Sequence, residues 1–317
     1  MLLETCSVKV VALAGGVGGA KLADGLSRAL PPGDLTVIVN TGDDFEHFGL
    51  HIAPDLDTVC YTLAGLANPE TGWGRIEESW QAIANVEKLG GPAWFRLGDQ
   101  DLGTHLERTR LLKEGVPLSE ITARFCAAWG VKPRVLPVTD QPVRTIVQTD
   151  EGDLAFQEYF VHRCCEPRVS GFVFQGAESA SPTPGVLEAL AAADAVAICP
   201  SNPWVSIAPM LAIPGVRGAV QRRPTVAVSP IIGGAAVRGP AAKMYAEMGI
   251  EPSAVAVAAH YQGLARGFVF DAADSELESE VARYMRWVLA TQTLMRTPQD
   301  RQRLARDVLD FIGANCK

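Results

Sequence analysis

Residues 8 to 22 read VKVVALAGGVGGAKL. Val8 to Ala14 is a short, β-branched and apolar run of the kind that is buried on both faces of a sheet. Gly15 to Gly19 break the run, and a helical pattern follows from Lys21 to Leu30. A second buried-strand pattern, Leu35 to Val39, ends in Asn40-Thr41-Gly42-Asp43-Asp44. Strand, loop, helix and strand make a βαβ unit, which requires a parallel sheet and puts the ligand edge at the strand C-termini. The expected fold is therefore α/β and Rossmann-like, a mostly parallel sheet flanked by helices.

Working outward, the pattern from Thr58 to about Trp129 is mostly helical, punctuated at Gly72, Gly90 to Pro92 and Gly115 to Pro117. It is expected to be a helical insertion, at about 58–130, within a single α/β domain spanning residues 1–317. Val143 to Gln148 and Leu154 to Val161, separated by Asp150-Glu151-Gly152-Asp153, read as a β-hairpin. Gly171 to Phe174, Ala195 to Cys199 and Thr225 to Ser229 read as further strands with which the sheet resumes, and Phe268 to Phe270 as a late one. Amphipathic helices are expected around Ser275 to Leu289 and Pro298 to Ile312.

The chain has 317 residues, 48% of them hydrophobic, enough to bury a sizeable core. Lys plus Arg number 28 against 36 Asp plus Glu, a formal net charge of −8, which argues against nucleic acid or an anionic membrane as partner. No apolar run approaches the roughly 18 residues of a membrane-spanning helix. Glu4 and Lys9 sit wrongly for a signal peptide, so a cytoplasmic protein is expected. Seven cysteines (Cys6, Cys60, Cys126, Cys164, Cys165, Cys199 and Cys316) form no C-x-x-C pair and read as buried free thiols.

Gly15, Gly16, Gly18 and Gly19, with Lys21, stand where backbone N–H groups and a helix N-terminus can receive phosphate oxygens. The loop is neither a full dinucleotide fingerprint nor a P-loop, since Lys21 takes the third glycine position and is followed by Leu22. A dehydrogenase would carry an acid at the end of the second strand, where this chain has Asn40. Instead Asp43-Asp44 and Pro54-Asp55-Leu56-Asp57-Thr58 bring four carboxylates close to the phosphate loop, the hard oxygen ligands that Mg²⁺ takes beside phosphates. Helix capping by Asp57 or Thr58 is the simpler alternative. Phe95-Arg96-Leu97-Gly98-Asp99-Gln100-Asp101 adds a cation and two acids. Trp73, Trp80 and Trp94 are either core or a stacking surface for a flat heterocycle, and His47, His51 and His105 show no metal-ligand spacing.

Taken together, the glycine loop with Leu22, Asn40 to Asp44, Pro54 to Thr58, Leu97-Gly98-Asp99, Pro200-Ser201-Asn202-Pro203 with Ser206-Ile207, and Ser229-Pro230-Ile231-Ile232-Gly233 resemble the 2-phospho-L-lactate transferase family of coenzyme F-420 biosynthesis, over nearly the whole chain. The resemblance implies that the deazaflavin 7,8-didemethyl-8-hydroxy-5-deazariboflavin (Fo) accepts a phosphorylated three-carbon acid from a guanosine diphosphate conjugate. GMP is released and Mg²⁺ is required. It implies that Asp57 and Arg96 contact the deazaflavin, that Asp43 and Asp44 lie at the metal and diphosphate, and that these three acids are the catalytic candidates. The glycine loop, Lys21, Ser201 and Asn202 would hold the donor, and a homodimer is expected. Val17 stands where family members often carry Thr. The acid on the donor (phospholactate, enolpyruvyl phosphate or phosphoglycerate) is left open. The rival reading is a non-catalytic regulator that binds a nucleotide sugar.

Overall fold

The computed structural model describes residues 8–315; Glu4, Cys6 and Cys316 lie outside the described residues. Seven strands form the central sheet: β1 (Val10–Ala14), β2 (Leu35–Val39), β3 (Arg134–Pro137), β4 (Ala195–Ile198), β5 (Thr225–Val228), β6 (Gly267–Asp271) and β7 (Trp287–Thr291). Their spatial order is β7-β6-β5-β4-β1-β2-β3, and every neighbouring pair is parallel. The chain thus winds outward from β1 to β3, returns, and winds the other way from β4 to β7. The reversal lies between β1 and β4, and a crevice opens there beyond the strand C-termini.

Alternation along the strands divides the core into two layers. Val11 and Leu13 of β1 face one side with Val196, Ile198, Phe268 and Phe270. Val10, Ala12 and Ala14 face the other with Val37, Val39, Ala197 and Val226. Helix α1 (Gly16–Ala29) and the C-terminal helix Pro298–Asn315 cover the second side. A Cβ on Gly25 would lie 2.1 Å from the Arg301 carbonyl oxygen, so the two helices meet backbone to backbone there.

Several expectations are corrected. The strand predicted at Gly171 to Phe174 is real (Val169–Gln175) but pairs antiparallel with Arg144–Thr149, which also pairs with Gly152–Ala155. These make a separate three-stranded sheet, and the second hairpin strand stops at Ala155 because the chain turns helical at Glu158–His162. The helix predicted over Ser275 to Leu289 is a short 3₁₀ and α segment followed by β7. Within 58–130 the chain holds helices Gln81–Lys88, Asp99–Lys113 and Leu118–Ala128, while helix α2 already begins at Pro54 (Pro54–Ala64) and residues 66–80 are irregular. Cys60, Cys126 and Cys199 are buried thiols as expected, whereas Cys164 is exposed and Cys165 half-buried in a turn where both have positive φ. No helix among the described residues is long and apolar enough to cross a membrane.

Candidate active site

The crevice is a cavity of about 700 Å³ lined from both halves of the sheet, from Gly15 through to Met295. That is room for a nucleotide or a flat heterocycle with its tail. Its floor is the glycine run Gly15 to Gly19, expected to be a loop before a helix from Lys21; α1 in fact begins at Gly16, so the run is the N-cap and first turn of that helix. The missing side chains of this run make room first for protein. A Cβ on Gly15 would lie 2.4 Å from Asp55 Oδ2, one on Gly18 2.2 Å from the Pro200 oxygen, and one on Gly19 2.4 Å from Ser201 Oγ. Ser201 Oγ donates to the Gly15 oxygen (2.8 Å) and accepts from the Gly15 nitrogen (3.0 Å), stitching the loop after β4 to the loop after β1. What remains for an anion is the first turn of α1. The N-cap, Gly15, has no side chain, Asp55 accepts from the Gly16 backbone, Gly16 to Gly18 are partly exposed, and Lys21 lines the cavity. Lys21 donates to the Met295 oxygen at 2.9 Å; burial, and then the charges of Arg301 and Arg238, hold its ammonium below the usual lysine range. Val17 packs against Gly72, whose Cβ would lie 2.7 Å from Val17 Cγ1, so the residue that departs from the family pattern fastens the segment above the loop.

Opposite the loop stands a cluster of carboxylates organised by Asn40 at the end of β2. Its side-chain nitrogen donates to Asp55 Oδ2 (2.9 Å), the Val205 oxygen (3.3 Å) and Asp43 Oδ1 (3.4 Å), and its Oδ1 accepts from the Gly42 nitrogen (2.9 Å). Gln157 donates to Asp43 Oδ2 at 3.3 Å. Burial pushes the Asp43 carboxyl well above the usual carboxylate range, and Asp55 and Asp44 push it further. Burial likewise raises Asp55 to about 6, against the hydrogen bonds from Asn40, the Gly16 backbone and Ser206. Asp43 and Asp55 line the cavity. Asp44 does not: its Oδ2 pairs with His51 Nε2 at 3.1 Å, and its buried Oδ1 has no partner. Asp43 and Asp55 thus present hard carboxylate oxygens to the cavity, with Asp44 turned away behind them, but the three do not bring one oxygen each into a common ligand group by distance.

A second cluster lies along the same wall. Asp57 is in the first turn of α2, whose N-cap is Ala53, so neither Asp57 nor Thr58 is a cap. Both Asp57 oxygens accept from Arg108, from Nη1 at 3.0 Å and from Nη2. Arg108 is fully buried. Burial pushes Asp57 up, and the guanidinium and His105 oppose that push. Arg108 Nη1 also donates to His105 Nδ1 at 3.3 Å, and His105 Nε2 lies 3.4 Å from Asp101 Oδ2. Tyr61 donates its hydroxyl to Asp101 Oδ1 at 2.6 Å. One ligand atom each of Asp57, Asp101 and His105 falls within 4.8 Å of the others, close enough to hold a metal by distance and against the expectation from histidine spacing. Arg108 Nη1 occupies His105 Nδ1, while the buried His105 Nε2 has no hydrogen-bond partner and is the ring nitrogen left to face an ion. What competes with an ion is the neighbouring charge. The fork of Arg108 already neutralises Asp57.

The remaining expected residues fall in place around the mouth. Arg96 lines the cavity and its guanidinium lies 4.6 Å from the Trp80 ring centre. Trp73 and Trp94 line the cavity as well; Trp94 packs with His47, Phe95 and His162. Asn202 lines it but spends its Oδ1 on the Trp204 nitrogen (3.0 Å) and its Nδ2 on Met244 Sδ (3.3 Å). The sequence reading missed Arg108, Gln157 and Tyr61, and gave Asp101 and His105 no joint role. The spacing of 101, 105 and 108 on one helix face was the available signal.

The cavity thus sets the partly exposed first turn of α1 on one wall against buried acids on the other. Residues 10–312 match the family of the 2-phospho-L-lactate transferase CofD. A "Phosphoenolpyruvate transferase" of Streptomyces griseus is 48% identical over 282 residues, covering 86% of this chain and 89% of that protein. A "2-phospho-L-lactate transferase" of Methanopyrus kandleri is 41% identical over 309 residues, covering 96% of this chain and 98% of that protein. A crystal structure of a UPF0052 family member from Bacillus halodurans superposes with a TM-score of 0.59 at 14% identity, covering 96% of this chain and 100% of that one, which shows the shared fold. With the family's pattern running from β1 into the last helix, and relatives this similar over most of both lengths, the chain belongs to the 2-phospho-L-lactate transferase CofD family.

Proposed function

We propose that the protein transfers a phosphorylated three-carbon acid from a guanosine diphosphate conjugate to Fo, releasing GMP. One observation carries the reading: a single cavity joins the partly exposed first turn of α1 to the buried acids Asp43 and Asp55, with the Asp57–Arg108 pair on the same side. The donor diphosphate lies on the α1 amides and Lys21, with Ser201 and Asn202 shaping the loop beside its nucleotide. The Fo ring lies among the aromatic side chains at the mouth near Arg96, and its terminal ribityl hydroxyl points to Asp57. Asp57, held ionised by Arg108, accepts the hydrogen bond of that hydroxyl and orients its oxygen toward the phosphorus next to the organic acid. Asp43 and Asp55, with Asp44 behind them, would hold Mg²⁺, which when bound supplies positive charge beside the reacting phosphate. The names carried by relatives such as that of Streptomyces griseus favour enolpyruvyl phosphate as the transferred acid.

The acceptor end is tested by calorimetric titration of Fo. Asp57→Asn and Arg96→Ala are each expected to weaken Fo binding by about tenfold or more, the scale of one charge-assisted contact, with melting temperatures near wild type. Unchanged affinity in both variants would remove these residues from the acceptor site.

A further inference from the structure

Beyond the glycine loop, the mouth of the cavity carries a second cation on a built arm. After β5 the chain forms a tight hairpin in which Ile231–Ile232 pairs antiparallel with Ala235–Ala236. Its turn is Gly233-Gly234, with φ of +57° and +74°, a conformation that disfavours side chains. The arm is fixed at its turn and at its root. The Gly233 nitrogen donates to both oxygens of the buried Asp274 at 3.0 Å, and Ser229 Oγ bridges the Ile231 nitrogen and oxygen.

Arg238 follows directly and lines the cavity. Its guanidinium reaches across the mouth to carbonyl oxygens, from Nη2 to Glu70 at 2.9 Å and from Nη1 to Thr71. The next residue, Gly72, rests on Val17 in the first turn of α1. Arg238 therefore stands beside the phosphate-receiving end of that helix, near enough for its charge to act on Lys21. A guanidinium has five N–H donors, and two neutral carbonyls leave most of them, and the whole charge, unanswered. The same cavity holds Asp43, Asp55, Asp57 and Asp101, so a dianionic ligand needs cations at its own end.

We propose that Arg238 clamps the donor's phosphates: it binds their oxygens over the first turn of α1 while strapping the segment around Glu70 to Gly74 across the mouth. The inference rests on the transferase reading above and adds the residue that discriminates the donor from the acceptor.

Calorimetry in Mg²⁺ buffer tests it, with GDP as the probe for the donor site and Fo as the probe for the acceptor site. Arg238→Ala is expected to weaken GDP binding by about tenfold or more and to leave Fo within about twofold. Arg238→Lys, which keeps a charge but not the fork, should recover part of the GDP affinity. If wild type binds GDP and Arg238→Ala binds it equally well, the clamp is wrong and the transferase reading stands. Equal losses for GDP and Fo that Lys does not repair would make Arg238 a structural strap only and would overturn the phosphate role. A wild-type protein that binds neither probe overturns the transferase reading, and the clamp with it.

Discussion

Asp43→Asn is expected to lower kcat by at least about 100-fold, the scale of losing one preorganised electrostatic element, without unfolding the protein. The side chain faces the cavity, is held by Asn40 and Gln157, and lies beside Asp55 and Asp44. The second half of the prediction comes from the same crowding. Asp55 is raised to about 6 from an ordinary value near 3.8, so the folded state holds a proton that the unfolded chain has already released between those pH values. Asp55's contribution to stability without a divalent cation is then full below about pH 4, falls as the pH rises, and is lost above about 6. Removing the neighbouring charge relieves the repulsion. In EDTA at pH 7.5, the Asp43→Asn melting temperature should stay close to wild type or exceed it, and added Mg²⁺ should stabilise wild type more than the variant. A variant that keeps full kcat, or that melts far below wild type in EDTA, would show Asp43 serving the turn's hydrogen bonds and nothing more.

Arg108→Met is expected to destabilise the protein by about 3–5 kcal/mol at neutral pH, because it strands the Asp57 carboxylate in a site with little access to water. The loss should shrink on acidification, as Asp57 takes up a proton in place of the missing guanidinium. Chemical denaturation at pH 7.5 and pH 5 measures both. The double variant Asp57→Asn with Arg108→Met should regain most of the stability, since no buried charge remains, yet still bind Fo poorly. If the single variant loses less than about 1 kcal/mol, the fork is not what keeps Asp57 ionised.

The βαβ core was legible because its chemistry is local: a doubly buried strand followed by glycines and a helix has few other solutions, and β1 and β2 lie where that pattern put them, while α1 starts at Gly16 and takes in glycines that read as loop. The late strand β7 was not, because Trp287 to Thr291 is half-buried at the sheet edge and its apolar run extends the periodicity of the short helix before it. Val169–Gln175 read as a strand but not as part of a separate sheet, since pairing is decided by Arg144–Thr149 and not by its own residues. At the site, spacing located the acids but could not orient them. Within one turn Asp43 faces the cavity and Asp44 turns back to His51, while Asp55, read only as part of a motif, completes the cluster. Arg108 pairs with a residue 51 positions earlier, and its own segment offered only the shared helix face with Asp101 and His105 as a sign.

The central claim is a group transfer in this one cavity. It is met most directly by mixing the protein with Fo and the guanosine diphosphate conjugates of enolpyruvyl phosphate and of phospholactate, with Mg²⁺ or with EDTA, and following products by mass. GMP and a deazaflavin heavier by the phosphorylated acid are expected in equal amounts, faster with the enolpyruvyl donor, and neither product in EDTA. Binding of a nucleotide without GMP release from either donor, with Mg²⁺ and Fo present, would contradict the claim and leave the cavity a binding site alone.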